Sequence, residues 1–102
     1  MGPMSQIWKL PIKDIISSNT YEVKVPKGTK ILSFGEDPEN PQYVLWGMVP
    51  DIHEKEEERL TVFIIPTGQV VPAPAESARF LNTVITPSSF GPFVLHGFVK
   101  NN

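Results

Sequence analysis

Tyr21-Glu22-Val23-Lys24-Val25-Pro26-Lys27-Gly28-Thr29-Lys30-Ile31-Leu32-Ser33-Phe34 is the stretch on which the fold turns. Its first five residues alternate apolar and charged side chains, the period-two pattern of a strand with one buried face. Pro26-Lys27-Gly28-Thr29 carries turn chemistry, because proline presets φ for a turn's first central position and glycine takes positive φ without a steric penalty. Lys30 to Phe34 is largely apolar again and reads as a returning strand, so residues 20–34 are expected to form a hairpin.

The same alternation of apolar runs and breakers extends in both directions. Gln6 to Leu10 ends at Pro11, and Leu60 to Ile65 ends at Pro66-Thr67-Gly68. Arg79 to Ile85 and Pro92 to Val99 are joined by a connection holding Pro87, Ser88, Ser89 and Gly91, and Val70 to Pro74 reads as a short extension. Gln42 to Val49 and Leu60 to Ile65 are apolar on both alternating faces, which predicts central strands with each face covered by something different. The best helix candidate is Ile12 to Ser18, with one further turn over Pro74 to Arg79. Together these runs predict an all-β fold of about seven antiparallel strands. The expected form is a meander closing into a small sandwich or partly open barrel, with at most one short helix. Such a meander places the 26–29 turn and the 50–58 loop at one end, and loops 35–41 and 66–69 at the other.

Composition bounds the function. The chain of 102 residues holds 11 prolines, 7 glycines and no cysteine, with 40% hydrophobic residues and a net charge of −2. That much proline excludes long helices, while the apolar share is too large for a disordered chain. The missing cysteine excludes disulfides, thiolate nucleophiles and zinc–thiolate sites, and permits a reducing cytoplasm. No apolar run approaches the ~18–20 residues of a membrane span, and no signal leader is visible, so no membrane partner is expected. Met1-Gly2-Pro3 reads as a cloning remnant ahead of a native start at Met4, leaving residues 4–102 as a single β domain. With acidic residues in excess and few basic–aromatic pairs, nucleic acid is not an expected partner.

Chemistry-bearing residues are sparse. The acidic side chains gather in two loops, Glu36, Asp37 and Glu39 in one and Asp51, Glu54, Glu56, Glu57 and Glu58 in the other, and read as solubilising charge. Lys24, Lys27 and Lys30 surround the 26–29 turn, which predicts a bipolar end beside the second loop. His53 lies among that loop's carboxylates, yet the spacing lacks the glycine-punctuated order of a calcium loop, and no metal site is assigned. His96 shares a strand face with Val94 and Phe98, opposite Phe93, Leu95 and Val99, and reads as a sheet-face histidine bonded to backbone. No phosphate-cradling or other cofactor motif is present, and no cofactor is expected. Trp8, Trp46, Phe63, Phe80, Phe93 and Phe98 suit a core, but strands apolar on both faces leave a surplus for a homo-oligomer interface or a ligand cleft. Arg59 and Arg79, the only arginines, are candidate anion clamps; the plainer reading pairs them with glutamates such as Glu57 or Glu76. The ligand-binding candidates are therefore Arg59, Arg79, Trp46 and His96, with no catalytic residue assigned.

Ile7-Trp8-Lys9-Leu10-Pro11-Ile12 and Val25-Pro26-Lys27-Gly28-Thr29-Lys30-Ile31-Leu32-Ser33 resemble a small uncharacterised family frequent in bacteriophage genomes. Its members open with an aromatic-Lys-x-Pro strand followed by a Val-Pro-x-Gly-Ala-x-Ile-Leu hairpin. Leu45-Trp46 with Val49 and Asp51, Arg59, Thr67-Gly68, and a closing strand with Val94, His96 and Phe98 follow in the same order. The chain departs from the pattern in a longer loop after Ser33, in Thr29 where the family has alanine, and over residues 86–92. The resemblance implies a phage origin and a setting in the host bacterium's cytoplasm. It favours a non-enzymatic accessory protein that modulates or counters a host process, anti-defence included. Such a protein would sequester a small ligand, a nucleotide-like one among the options, or block a host protein. A virion or assembly component is the alternative reading, and a small enzyme using His96 with Arg59 or Arg79 is a second.

Overall fold

The structure, a computed structural model, describes residues 5–12, 14–17, 19–39, 43–50, 56–87 and 89–101. Among them run β1 (Ser5–Pro11), β2 (Asp14–Ser17), β3 (Thr20–Pro26), β4 (Lys30–Glu36), β5 (Tyr43–Pro50), β6 (Glu57–Pro66), α1 (Ala73–Glu76), β7 (Arg79–Thr86) and β8 (Phe93–Asn101). The strands form two sheets, β1-β5-β4 and β2-β3-β6-β8-β7, whose ladders are all antiparallel. The fold is an all-β, sandwich-like one with a single short helical turn among the described residues, as the punctuation predicts.

The core lies between the sheets. Leu10, Phe34 and Leu45 from the smaller sheet meet Val23, Val25, Leu60, Val62, Ile64, Leu95 and Val99 from the larger. Each such aliphatic side chain contributes roughly 1.5–3 kcal/mol when taken fully out of water. Strand β6 buries both faces, as its sequence requires: Leu60, Val62 and Ile64 face this core, while Phe63 and Ile65 meet Ala75, Ala78 and Phe98 on the outer side. The cover is supplied by the 67–78 connection. Because β6 and β7 both pair antiparallel with β8 between them, they run the same way, and the chain must climb the sheet to link them. The turn of α1, predicted near Pro74, sits on that climb.

Several local expectations are corrected. The 26–29 turn forms, with the Thr29 N–H donating to the Pro26 carbonyl at 3.1 Å and Gly28 at φ 87°. Yet residues 20–34 are not a hairpin, since β3 pairs with β2 and β6 while β4 pairs with β5. Lys27 and Gly28 are the turn's central pair, and only the second has positive φ. That type II geometry splays flanking strands, unlike the primed turns that match their twist. The chain therefore changes sheet at β1–β2, β3–β4 and β5–β6, so the order is not a simple meander. Residues 14–17, inside the segment read as a helix, form β2 against β3. A segment that short cannot offset helix nucleation, and its two adjacent isoleucines favour extended backbone. Val70 to Pro74 is not a strand: Pro72 and Pro74 have no N–H for a ladder. Phe80 and Phe93 are half-exposed rather than core residues. Asp37 is not a solvated loop charge, because its side chain is buried, accepts from the Glu39 N–H at 2.9 Å and meets the Lys9 ammonium at 3.2 Å.

One flank of the sandwich is joined by side chains. Strands β4 and β7 lie side by side in different sheets, with no backbone ladder between them. The Phe34 N–H donates to Asn82 Oδ1 at 2.9 Å, and Asn82 Nδ2 donates to the Phe34 carbonyl, also at 2.9 Å. Arg79 Nη2 donates to the Ile31 carbonyl at 2.7 Å, and the Thr86 hydroxyl donates to the Glu36 carboxylate at 2.8 Å. The contacts advance in the same direction along both strands, so the seam is parallel. Each strand carries a bulge there, between Ile31 and Ser33 and between Phe80 and Asn82, and a bulge re-aims side chains at an edge. The Phe34 ring lies over Gly97, where an added Cβ would overlap it. On the opposite flank the chain passes from β1 to β2 through Ile12, whose N–H donates to the Tyr43 carbonyl at 3.1 Å.

Replacing Asn82 by alanine leaves a buried N–H and a carbonyl unpaired and is expected to cost about 2–4 kcal/mol in urea unfolding. Gly97→Ala is expected to cost about 3 kcal/mol by displacing Phe34. A loss below about 0.5 kcal/mol in both variants contradicts the seam's role.

Candidate functional site

The four predicted ligand residues are not brought together. Trp46 stands half-buried on the outer face of the smaller sheet, paired with Lys9 and Ser33. Arg59 lies on the outer face of the larger sheet, exposed, with its Nε 3.9 Å from Glu22 rather than on Glu57 or Glu76. His96 shares that outer face, as alternation predicts, but is paired with Thr83 and Ile65, near the strand's other end. Arg79 pairs with Val99 and turns to the seam. His96 is thus about 10 Å along β8 from Arg79's partner and roughly 20 Å from Arg59's level. The constellation of His96 with an arginine, on which the enzyme reading depends, is not assembled.

Arg79 has other company. A cleft of about 530 Å³ opens at the end of the seam, lined by Thr29, Lys30 and Ile31 of the β3–β4 turn, Ser77 and Arg79 before and on β7, and Val99, Lys100 and Asn101 of β8. Among the described residues three cations line it and no carboxylate does. Beyond Asn101 lies the oppositely charged hollow of Glu57, Glu58 and Arg59. Lys27 meets Glu56 at 3.2 Å and the Gly28 N–H donates to Glu58 at 3.2 Å, so this end of the molecule is bipolar, as expected. Asp51, His53 and Glu54 of the neighbouring loop lie outside the described residues. Among the described residues no cluster of three or more His, Asp or Glu side chains forms a metal cage.

His96 is held by side chains rather than backbone. Its Nε2 is 2.7 Å from the Thr67 hydroxyl and its Nδ1 is 2.9 Å from the Thr83 hydroxyl. One ring nitrogen donates and the other accepts in the neutral form, and rotatable hydroxyls satisfy either tautomer. The arrangement ties the start of the 67–78 connection to β8 and β7. Spacing in the sequence could not reveal it, because Thr67, Thr83 and His96 meet only through strand register.

The remaining surface is unusual for its lack of charge. Residues 60–75 and 80–99 contain no Asp, Glu, Lys or Arg, in a chain that is 20% charged. At the far end of the β7–β8 hairpin, Phe90 is 99% exposed, Ile85 69% and Phe93 50%. Pro92 there separates two shallow apolar hollows, one lined by Pro66, Thr67, Phe93 and Val94 and the other by Ile85, Pro87 and Gly91. Phe80 packs edge-on against Phe98 on the outer face, centroids 5.4 Å apart, and stays half-exposed. No helix among the described residues is long and apolar enough to cross a membrane.

Residues 4–102 match the model of a family described as a domain of unknown function, DUF7352. No curated protein and no solved structure matches the chain.

Tyr43 reports on the seam's lower end. Burial raises its hydroxyl above 10.0, a hydrogen bond with Thr86 opposes the shift, and the Glu36 charge adds to it. A phenol whose folded pKa is raised contributes stability that is present below the unfolded value and lost as pH rises through the folded one. An alkaline absorbance titration is expected to show a tyrosinate component above pH 10.0 that Tyr43→Phe removes. A titration with no component above that value contradicts the burial.

Proposed function

This chain belongs to the DUF7352 family, a domain of unknown function, and we propose that it acts by binding rather than by catalysis. Its principal contact surface, in this reading, is the uncharged end of the β7–β8 hairpin. The observation that carries the reading is the coincidence of full exposure at Phe90 with the absence of any formal charge from residue 80 to residue 99. Interface cores are depleted in charge and enriched in aromatic residues. Monomeric proteins rarely leave large apolar patches in water. Three side chains of this size expose on the order of 400 Å², about half of what one partner contributes to a standard interface.

The occupant is a host-protein surface of matching apolar character. The resemblance to phage proteins supports an accessory role in which that contact modulates or counters a host process. Glu36, exposed at the end of β4, meets Thr86 of the hairpin, and the exposed Glu39 follows it in the chain. Acidic neighbours oppose an anionic lipid surface, so a protein is the better fit.

A photocrosslinking phenylalanine at position 90 tests this in cells that contain the partner. The expected outcome is a discrete crosslinked species mapping to one host-protein surface, with solution mass distinguishing it from self-association. Ile85→Asn combined with Phe93→Asn is expected to remove the crosslink while melting temperature moves by less than about 5 °C. A chain that crosslinks at position 90 to nothing, only to its own copies, or as strongly with both substitutions in place, contradicts the proposal.

A further inference from the structure

At the other end of the strands, we infer that the cleft formed by Lys30, Arg79 and Lys100 is a binding site for the phosphate group of a small organic phosphate. The cleft is separate from the docking surface, being built from different residues at the opposite end of the hairpin.

Three physical features converge. Charge comes first: among the described residues the lining holds three cations and no carboxylate, and none of the three cations has an ion-pair partner. Among the described residues the acidic groups at this end are otherwise placed. Glu56 meets Lys27, Glu58 accepts from the Gly28 N–H, and Glu57 lines the separate hollow beyond Asn101. Glu76 ends α1, just ahead of Ser77, and is not in the lining.

Geometry is the second. Arg79 is anchored, because its Nη2 donates to the Ile31 carbonyl at 2.7 Å. One of its five N–H groups is spent on that bond, and the rest of the planar fork is available for bidentate contact with phosphate oxygens. A guanidinium already held in place loses less freedom on binding than a swinging one. Lys30 and Lys100 flank it on β4 and β8 as point charges. The Thr29 and Ser77 hydroxyls do not compete for the anion, because they already donate to the Pro26 and Pro74 carbonyls.

Size is the third. A cleft of about 530 Å³ is far larger than one phosphate needs and falls within the range of small-molecule sites. Asn101 adds a neutral amide, and the buried Ile31 and Val99 add an apolar floor, against which the organic part of a nucleotide-sized ligand can lie. The ligand class is therefore a phosphomonoester or diphosphate carrying an organic group.

Calorimetry of the intact protein at low salt with inorganic phosphate, pyrophosphate and a nucleoside diphosphate tests it. The expected result is saturable one-to-one binding, tighter for the nucleoside diphosphate than for phosphate. Lys30→Gln with Lys100→Gln is expected to weaken it at least about tenfold, and Lys24→Gln, elsewhere on the surface, to leave it unchanged. Arg79→Lys keeps the charge but loses the fork and is expected to weaken diphosphate binding at least about threefold; circular dichroism confirms that this variant is folded. No saturable heat with the nucleoside diphosphate at about 10 mM overturns the inference. Equal losses in the Lys24 and Lys30/Lys100 variants also overturn it, since they would mean diffuse charge attraction without a site. A crosslink at position 90 would persist in either case, so failure here is distinguishable from failure of the docking proposal.

Discussion

The side-chain amide of Asn82 stands where a neighbouring strand's peptide group would otherwise stand, giving and taking one hydrogen bond with Phe34. A two-sheet sandwich leaves open edges, and an open edge exposes unpaired backbone groups to any passing strand. Here β4 and β7 shield each other through Asn82, Arg79 and Thr86 without merging into one sheet. Phe34 is the point at which this edge contact and the core become one structure. Its backbone is held by Asn82 while its ring fills the space over Gly97, which is Asn82's own ladder partner. A bulge on each strand supplies the rotation that aims Asn82 and Arg79 across the gap.

Both candidate surfaces flank that seam. Its upper end opens into the cationic cleft, and the bond that fixes Arg79 to Ile31 is at once a seam contact and the anchor of the phosphate fork. From its lower end, beyond the Thr86–Glu36 contact, extends the uncharged hairpin tip. Charge is thus sorted along one strand pair. Arg79 and Lys100 sit where β7 begins and β8 ends, and the residues between them carry no formal charge. A protein that binds a small anion at one end and a partner surface at the other would gain from a rigid connection between them, and β7 and β8 provide it.

Much of the fold was legible because its signals are local. Proline and glycine between apolar runs placed the strands, and the two-sided apolarity of Leu60 to Ile65 announced the cover that the 67–78 connection supplies. His96 was assigned to the correct face by counting alternate residues. Strand partners were not legible, since pairing depends on which edges other segments leave free and on a turn type that Pro26-Lys27-Gly28-Thr29 does not announce. Asn82 did leave a trace, as a lone amide within the apolar run from Phe80 to Ile85, but its target on β4 is distant in sequence. Lys100 joins Arg79 only through the register that sets Arg79 against Val99, which no spacing rule contains.

The seam is tested most directly by native-state hydrogen exchange at the Phe34 amide. In an ordinary edge strand that amide faces water and exchanges readily, whereas here it is donated to Asn82. Protection of Phe34 is expected to be comparable to that of Val62 in the central strand β6, persisting until global unfolding. Exchange of Phe34 through local fluctuations, as fast as the amides of a fraying edge, would contradict the seam's role.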